Sequence, residues 1–490
     1  MEHRRRGQSA AITRGIAGAI AIAIGAVVVG LGLGAIGATV GPWAIVAIPA
    51  FALWFAAALA RPVWAIVLVF VSLPIALTGV PIGGLQVIDV VMVGAVGMVT
   101  VTTLVHHTDV HLRIPAVGWG VGLCAAATLA VPGAIDAARA TTRVISVAVG
   151  LLLAVAIVAA CRGLADLRLL VGVFLAVGIV MTALAFQNLS ALHPEAGGLV
   201  VRDRPSGVFG DPNELGSFAV MLLLVAVGTL LARTSWQLRA LAGIAAALGA
   251  GALILSLSRG SWIGAAIGFV GLLILLPGAR RTVFVVLAAG LLLGVVIGAF
   301  RASAPEVAVV RDRLGAITRS FDSPYDNRPQ IWAEARREIV ANPWFGSGPS
   351  NFLLASARPG SETRTIGAEH AHDVLLTVGA EAGLPAVAFL VGMTIAVGLA
   401  VRRAVRGLRG RPDAAIVAGI GAALFGEVGH GLIDNTTGNP MLLALLFSLM
   451  GMALAADQIV TRGGFGRPMI PLAREPVTRG RDATPHAAVV

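Results

Sequence analysis

The stretch DPNELGSFAVMLLLVAVGTLLAR, residues 211–233, decides the fold class. It opens with a helix start: Asp211 at the N-cap, Pro212 at the first helical position, and Glu214 at N3, placed to reach back in a capping box. From Leu215 to Ala232 no residue carries a charge. Residues 212–231 are as long as one helix needs to cross a bilayer, which takes roughly 20 residues.

The pattern repeats along the chain. Of 490 residues, 57% are hydrophobic and 12% charged, where soluble chains carry about 25% charged residues. Apolar runs of spanning character lie at 14–37, 42–60, 62–79, 85–104, 113–131, 143–160, 167–186, 212–231, 238–256, 261–277, 282–300, 383–401, 414–433 and 439–458, 14 in all. The first follows MEHRRRG, exceeds the ~7–15 residues of a signal-peptide core, and is followed at once by another run, so it reads as a helix that stays. The expected fold is an all-α polytopic transmembrane helical bundle of 12–14 spans. Cys124 and Cys161 suggest no disulfide framework, and no CxxC or HExxH spacing marks a metal site.

All 36 basic residues are arginine, a usage that fits a GC-rich bacterial genome. Their placement orients the chain. With the N-terminus in the cytoplasm, the inner segments hold 22 arginines, counting Arg14 and Arg113 at helix edges. The short outer connections hold only Arg139, Arg143, Arg202, Arg204 and Arg259, and the remaining 9 fall in one long outer segment, residues 301–382. Long loops are weakly constrained by the positive-inside rule, so the asymmetry stands. The expected organisation is an N-terminal bundle at 1–300, an extracytoplasmic loop at 301–382 containing short helices, further spans at 383–459, and a disordered cytoplasmic tail at 460–490.

The long outer segment is the natural home for chemistry. Its NRPQIWAEARREIVANPWFGSGPSNFLLA predicts a helix over 328–341, stopped at Asn342-Pro343, and a second short helix near Ser350. Arg328, Trp332, Ala335 and Ile339 share one face at helical spacing, so Trp332 and Ile339 are expected to pack down and carry Arg328 toward the bundle. Arg336 and Arg337 read as a solvated face with Glu334 and Glu338.

Arg259, in LSLSRGSWIG, sits between two apolar runs on the outer side, where the positive-inside bias disfavours it. It also begins a helix, whose free N–H groups favour an anion. The reading is a phosphate-like site; the alternative is an arginine reaching the lipid headgroups. Arg202 and Arg204, in the outer loop before Asp211, are placed to guide a polyanionic substrate, and capping does not explain Asn213. His370 and His372 stand just before an apolar run, in GAEHAHDVLL. On a helix over 370–381 they point apart, a poor arrangement for one metal. One is suited to take a proton from a hydroxyl near neutral pH; the other reading is a histidine hydrogen-bonded at the bilayer edge.

The order FGDPNELGSF, LSRGSWIG, NRPQIWAEA…NPWFGSGPSNF and AHDVLLTVGAEAGLPAVAFL resembles the O-antigen ligase and O-antigen polymerase superfamily of bacterial membrane glycosyltransferases, over roughly residues 205–460. The resemblance implies inverting transfer of a glycan from an undecaprenyl-diphosphate-linked donor to a glycan or lipid acceptor hydroxyl. It places this on the outer face of the bacterial plasma membrane, among membrane lipids, with no cofactor, metal ion or nucleic acid. On that resemblance Arg259 and Arg328 are the family's arginines, Trp332 its tryptophan, and His372 its catalytic histidine. Arg202, Arg204, Asn213, Glu214 and His370 are then substrate-binding candidates. Asp373 stands where the family carries asparagine, adding a charge and losing an amide donor. The competing expectation is a lipid-linked glycan flippase or other transporter, which would set polar groups at midplane.

Overall fold

A computed structural model describes residues 44–74, 86–106, 114–186, 193–195, 200–202, 204–281, 283–284, 305–315, 326–361 and 363–463. The expected span 14–37, nearly all of 282–300, and the tail from 464 onward lie outside these residues.

The chain is a polytopic all-α membrane bundle. Its helices, in order, are α1 (Ala44–Ala60), α2 (Val63–Ser72), α3 (Val87–Val105), α4 (Pro115–Leu129), α5 (Ala137–Ala160) and α6 (Leu164–Ala185). Then come α7 (Pro212–Leu231), α8 (Trp236–Leu255), α9 (Arg259–Leu275), α10 (Pro305–Gly315), α11 (Arg328–Ala341), α12 (Phe352–Ser356), α13 (Val374–Gly407), α14 (Asp413–Gly431) and α15 (Pro440–Thr461). Among the described residues, 9 helices are long and apolar enough to cross a membrane, and α2 and α9 are shorter apolar helices. The described strands are a small antiparallel pair, β1 (His193–Glu195) and β2 (Val200–Arg202).

Helices α7, α14 and α15 are buried on nearly all sides and form the centre, whereas α4 and α8 turn most of their surface outward. Close approach depends on small residues, since lipid supplies no hydrophobic drive between helices. At Gly264 of α9 a Cβ would come 2.6 Å from the Gly426 carbonyl oxygen of α14; the two backbones touch there.

Loops at one end of the bundle are bonded to one another. Ile135 donates to the Ser347 carbonyl (3.1 Å), Asp136 N–H to Asn351 Oδ1 (2.7 Å), Arg143 to Thr437 Oγ1 (3.2 Å), and Arg204 Nε to the Ser256 carbonyl (2.7 Å). At the other end, arginines latch helices together: Arg61 with Asp166, Arg168 with Asp413 (2.6 and 2.7 Å), and Arg403 with Asp457 (3.1 and 2.7 Å). The three acids are buried, so these arginines neutralise charges whose isolated burial would be costly.

The apolar run that follows the outer segment differs from expectation. Rather than starting at 383, α13 starts at Val374 and passes through a break at Gly383 (φ 81°). Pro385 offers no N–H to the helix. The Leu384 N–H bonds outward to the Pro343 carbonyl at 2.8 Å, so the turn after α11 fills the gap. Glu381 accepts from the N–H groups of Ser350 (2.8 Å) and Phe352 (3.3 Å), tying the start of α12 to α13.

Helix α11 spans 328–341 and stops at Asn342-Pro343 as expected, but its buried face is rotated. Ile331, Glu334, Ala335 and Glu338 are buried, with Trp332 and Ile339 only half-buried at the margin. The two glutamates are therefore not part of a solvated face; Arg337 bonds Glu334 (2.6 Å) and Arg358 reaches Glu338 (3.5 Å).

Candidate active site

Ser258 caps α9, its side chain accepting from Ser261 N–H, and this sets Arg259 at the first helical position. From there Arg259 Nη2 reaches Asp326 Oδ2 at 3.1 Å. Asp326 stands just before α11; its Oδ1 accepts the Arg328 N–H (3.1 Å), and its Oδ2 lies 3.9 Å from Arg328 Nη1. Arg328 Nη2 lies 3.6 Å from Asp434 Oδ2, and Asp434 Oδ1 meets His372 Nδ1 at 2.7 Å. Arg259, Arg328 and His372 thus join through two acids, Asp326 and Asp434. The Asp434 side chain is 4% exposed and that of His372 31%, so the histidine is open to a ligand while its carboxylate is not.

Burial pushes the Asp434 carboxyl up, but the hydrogen bond and charge of His372, with His430 and His370 nearby, overcome this and hold it below the ordinary carboxylate range. Asp434 is a fixed anion. A carboxylate on Nδ1 keeps the proton there and leaves Nε2 with its lone pair.

The helix expected over 370–381 begins only at Val374. Asp373 caps α13 by accepting the Leu376 N–H (2.8 Å), so both histidines precede the helix. His372 takes φ +50°, a conformation that non-glycine residues rarely adopt and that recurs at functional sites. Its N–H donates to His370 Nδ1 (3.2 Å), and the rings meet edge to face with centroids 4.5 Å apart. Burial, reinforced by the charge of His372, pushes the His370 imidazole down to about 4. His370 is neutral near pH 7. Burial also raises the Asp373 carboxyl.

The remaining predicted residues form a neighbouring group. Arg204 Nη2 donates to Asn213 Oδ1 (3.0 Å), giving Asn213 a partner that capping did not. Asp211 accepts from the N–H groups of Asn213 and Glu214. Glu214 does not close the capping box; its Oε2 accepts from Asn439 Nδ2 at 2.7 Å, across to the start of α15. Asp211 is near enough for its charge to act on His370. Arg202 ends β2, paired with His193. Trp332 lies at the edge of α11, its indole N–H buried without a hydrogen-bond partner.

Sequence reasoning missed Asp326 and Asp434. The available signal was an acid in each short polar stretch, YDNR and LIDNTTGNP, next to an arginine or between two spans. It also missed the polar floor below the site: Glu427 accepts from Ser217 (2.7 Å) and Thr436 (3.0 Å), with His430 Nδ1 3.7 Å from it.

Fold and site together define a membrane bundle with a charged, ion-paired mouth at one end. Residues 244–391 match the family described as O-Antigen ligase. That stretch includes Arg259, Arg328, His370 and His372, and stops short of Asp434. No curated protein matches the chain.

Proposed function

We propose that the chain is a membrane glycosyltransferase of the O-antigen ligase and polymerase kind. It moves a glycan from an undecaprenyl-diphosphate-linked donor to an acceptor hydroxyl at the outer face of the bacterial plasma membrane. The observation that carries this reading is the linkage Arg259–Asp326–Arg328–Asp434–His372, together with the family match over the part of it that ends before Asp434.

In this reading Arg259 and Arg328 hold the diphosphate, as permanently charged forks suited to phosphate oxygens. His372 Nε2 takes the proton of the acceptor hydroxyl while that oxygen bonds to the anomeric carbon. The carbon–oxygen bond to the diphosphate breaks, its electron pair stays on the phosphate oxygen, and the two arginines offset the charge. One displacement from the far side inverts the sugar. Asp434 holds the ring and stabilises the imidazolium that forms, as the acid of a hydrolase triad does. The arginine asymmetry supports cytoplasmic termini and an extracytoplasmic mouth, with residues 301–382 as the outer unit.

The transporter reading calls for polar groups at midplane. Here Glu427, the most deeply set acid near the site, lies within about one turn of the end of α14, which favours the enzyme. The test is purified protein in detergent with lipid-linked donor and acceptor. Loss of nearly all transfer in His372→Ala, with donor binding kept, is expected; near wild-type turnover would remove His372 as the base.

A further inference from the structure

His370, His372 and Asp434 each offer one ligand atom, and these atoms lie within 4.8 Å of one another. We propose that the three residues bind a divalent cation of the zinc class, in competition with proton transfer by His372. The coordination is attainable. Zn–N and Zn–O bonds are about 2.0–2.2 Å, so neighbouring ligand atoms in a tetrahedral site stand roughly 3.3 Å apart. Both imidazoles are only partly buried, and rotation of their side chains supplies the remaining closure.

Two imidazoles and one carboxylate select a borderline transition metal over magnesium or calcium, which prefer oxygen ligands. Asp434 has an oxygen to give. Arg328 stands off Oδ2 at 3.6 Å without a hydrogen bond, while Oδ1 faces His372. The charges of Asp434 and Asp211 act on His370, against that of Arg328. The partly exposed His372 leaves a coordination position facing the mouth, as an open zinc site requires. A cation held between His372 and Asp434 takes Nδ1, so the ring's proton moves to Nε2 and the lone pair that would accept the hydroxyl proton is lost; zinc should inhibit transfer. Only this consequence rests on the glycosyltransferase reading; binding does not.

The test uses the full chain in detergent, carrying no histidine tag and stripped of metal, with Zn²⁺ measured by equilibrium dialysis and Co²⁺ as the spectroscopic probe. One equivalent should bind with a Kd on the order of micromolar, with Co²⁺ showing the bands of a low-coordinate site. His370→Gln and Asp434→Asn should each weaken binding at least tenfold. His370→Cys should keep binding and add a thiolate-to-cobalt charge-transfer band, a signature that a merely structural role would not produce. Absence of saturable binding, or undiminished binding in His370→Gln, overturns the proposal. Zinc binding without inhibition would leave the metal site standing and count against His372 as the base. Inactivity of His372→Ala without any zinc binding would do the reverse.

Discussion

Asp434 holds His372 Nδ1 at 2.7 Å from 62 residues further along the chain. The turn after α14 therefore supplies the carboxylate, and the residues before α13 supply the ring. Replacing Asp434 by asparagine keeps the shape and removes the charge that supports a developing imidazolium. Turnover should fall on the order of 10²–10⁴-fold, with donor binding little changed because Arg259 and Arg328 remain. Steady-state kinetics of the purified variant, against its thermal midpoint, checks this; turnover within a few-fold of wild type would count against the assignment.

Asp326 lies between the two arginines, on Arg259 at 3.1 Å and Arg328 at 3.9 Å. It fixes their positions and competes with any diphosphate for them. In Asp326→Asn the competition weakens and the positioning loosens. We expect turnover to drop by about tenfold while the donor KM stays level or falls, since positioning and affinity are separable. A raised KM at unchanged turnover would show that Asp326 acts in some other way.

His370, pushed down from 6.5 to about 4 by burial and by His372, makes stability depend on pH. Between those values the unfolded chain binds a proton that the folded chain refuses, so stability falls as pH falls. The contribution is whole above pH 6.5 and lost as pH drops toward 4. Asp434, held below its ordinary value of 3.8, adds a loss only at lower pH. In detergent the thermal midpoint of the wild type, measured against that of His370→Gln, should fall between pH 7 and pH 4. An unchanged slope in that variant would place the titrating group elsewhere.

How much of this is legible in the sequence depends on how local each cause is. The end of helix α11 is readable because Asn342-Pro343 stops it within its own segment. Arg259 is readable because positive charge between two outer spans violates a bias that holds elsewhere. The pairing of Arg259 with Asp326 crosses 67 residues, and that of His372 with Asp434 crosses 62; no local spacing encodes either. The buried face of α11 departs from its apolar periodicity for a related reason. Apolar periodicity favours Trp332 and Ile339, yet Glu334 and Glu338 are buried against Arg337 and Arg358. A short-range pattern cannot reveal that a charge will find its partner.

The proposed orientation rests on the arginine distribution and is open to direct labelling. In a background with Cys124 and Cys161 replaced by serine, a cysteine at Ser361, in the loop after α12, should react with a membrane-impermeant thiol reagent in intact or outer-permeabilised cells. One at Gly410, in the exposed turn between α13 and α14, should react only after lysis. The opposite pattern would reverse the topology and move the charged mouth to the cytoplasm.

The sharpest distinction between a catalytic arginine and a headgroup anchor lies in Arg259→Lys. Arg259 begins α9, where the helix N-terminus already favours an anion, and its guanidinium is 15% exposed and paired with Asp326. A residue that merely snorkels to lipid needs charge and reach, and lysine supplies both. A residue that holds a diphosphate through the departure of the leaving group needs two N–H groups in a fixed plane, which an ammonium lacks. Arg259→Lys should therefore lose about 10–10²-fold in kcat/KM. Arg259→Ala, which also leaves Asp326 with Arg328 alone, should lose more. Arg328→Lys should be impaired in the same way, since Arg328 spans Asp326 and Asp434. The measurement is transfer by purified variants normalised to folded protein, with donor concentration varied to separate kcat from KM. Full activity in Arg259→Lys would reduce Arg259 to an anchor and leave Arg328 as the arginine on the leaving group.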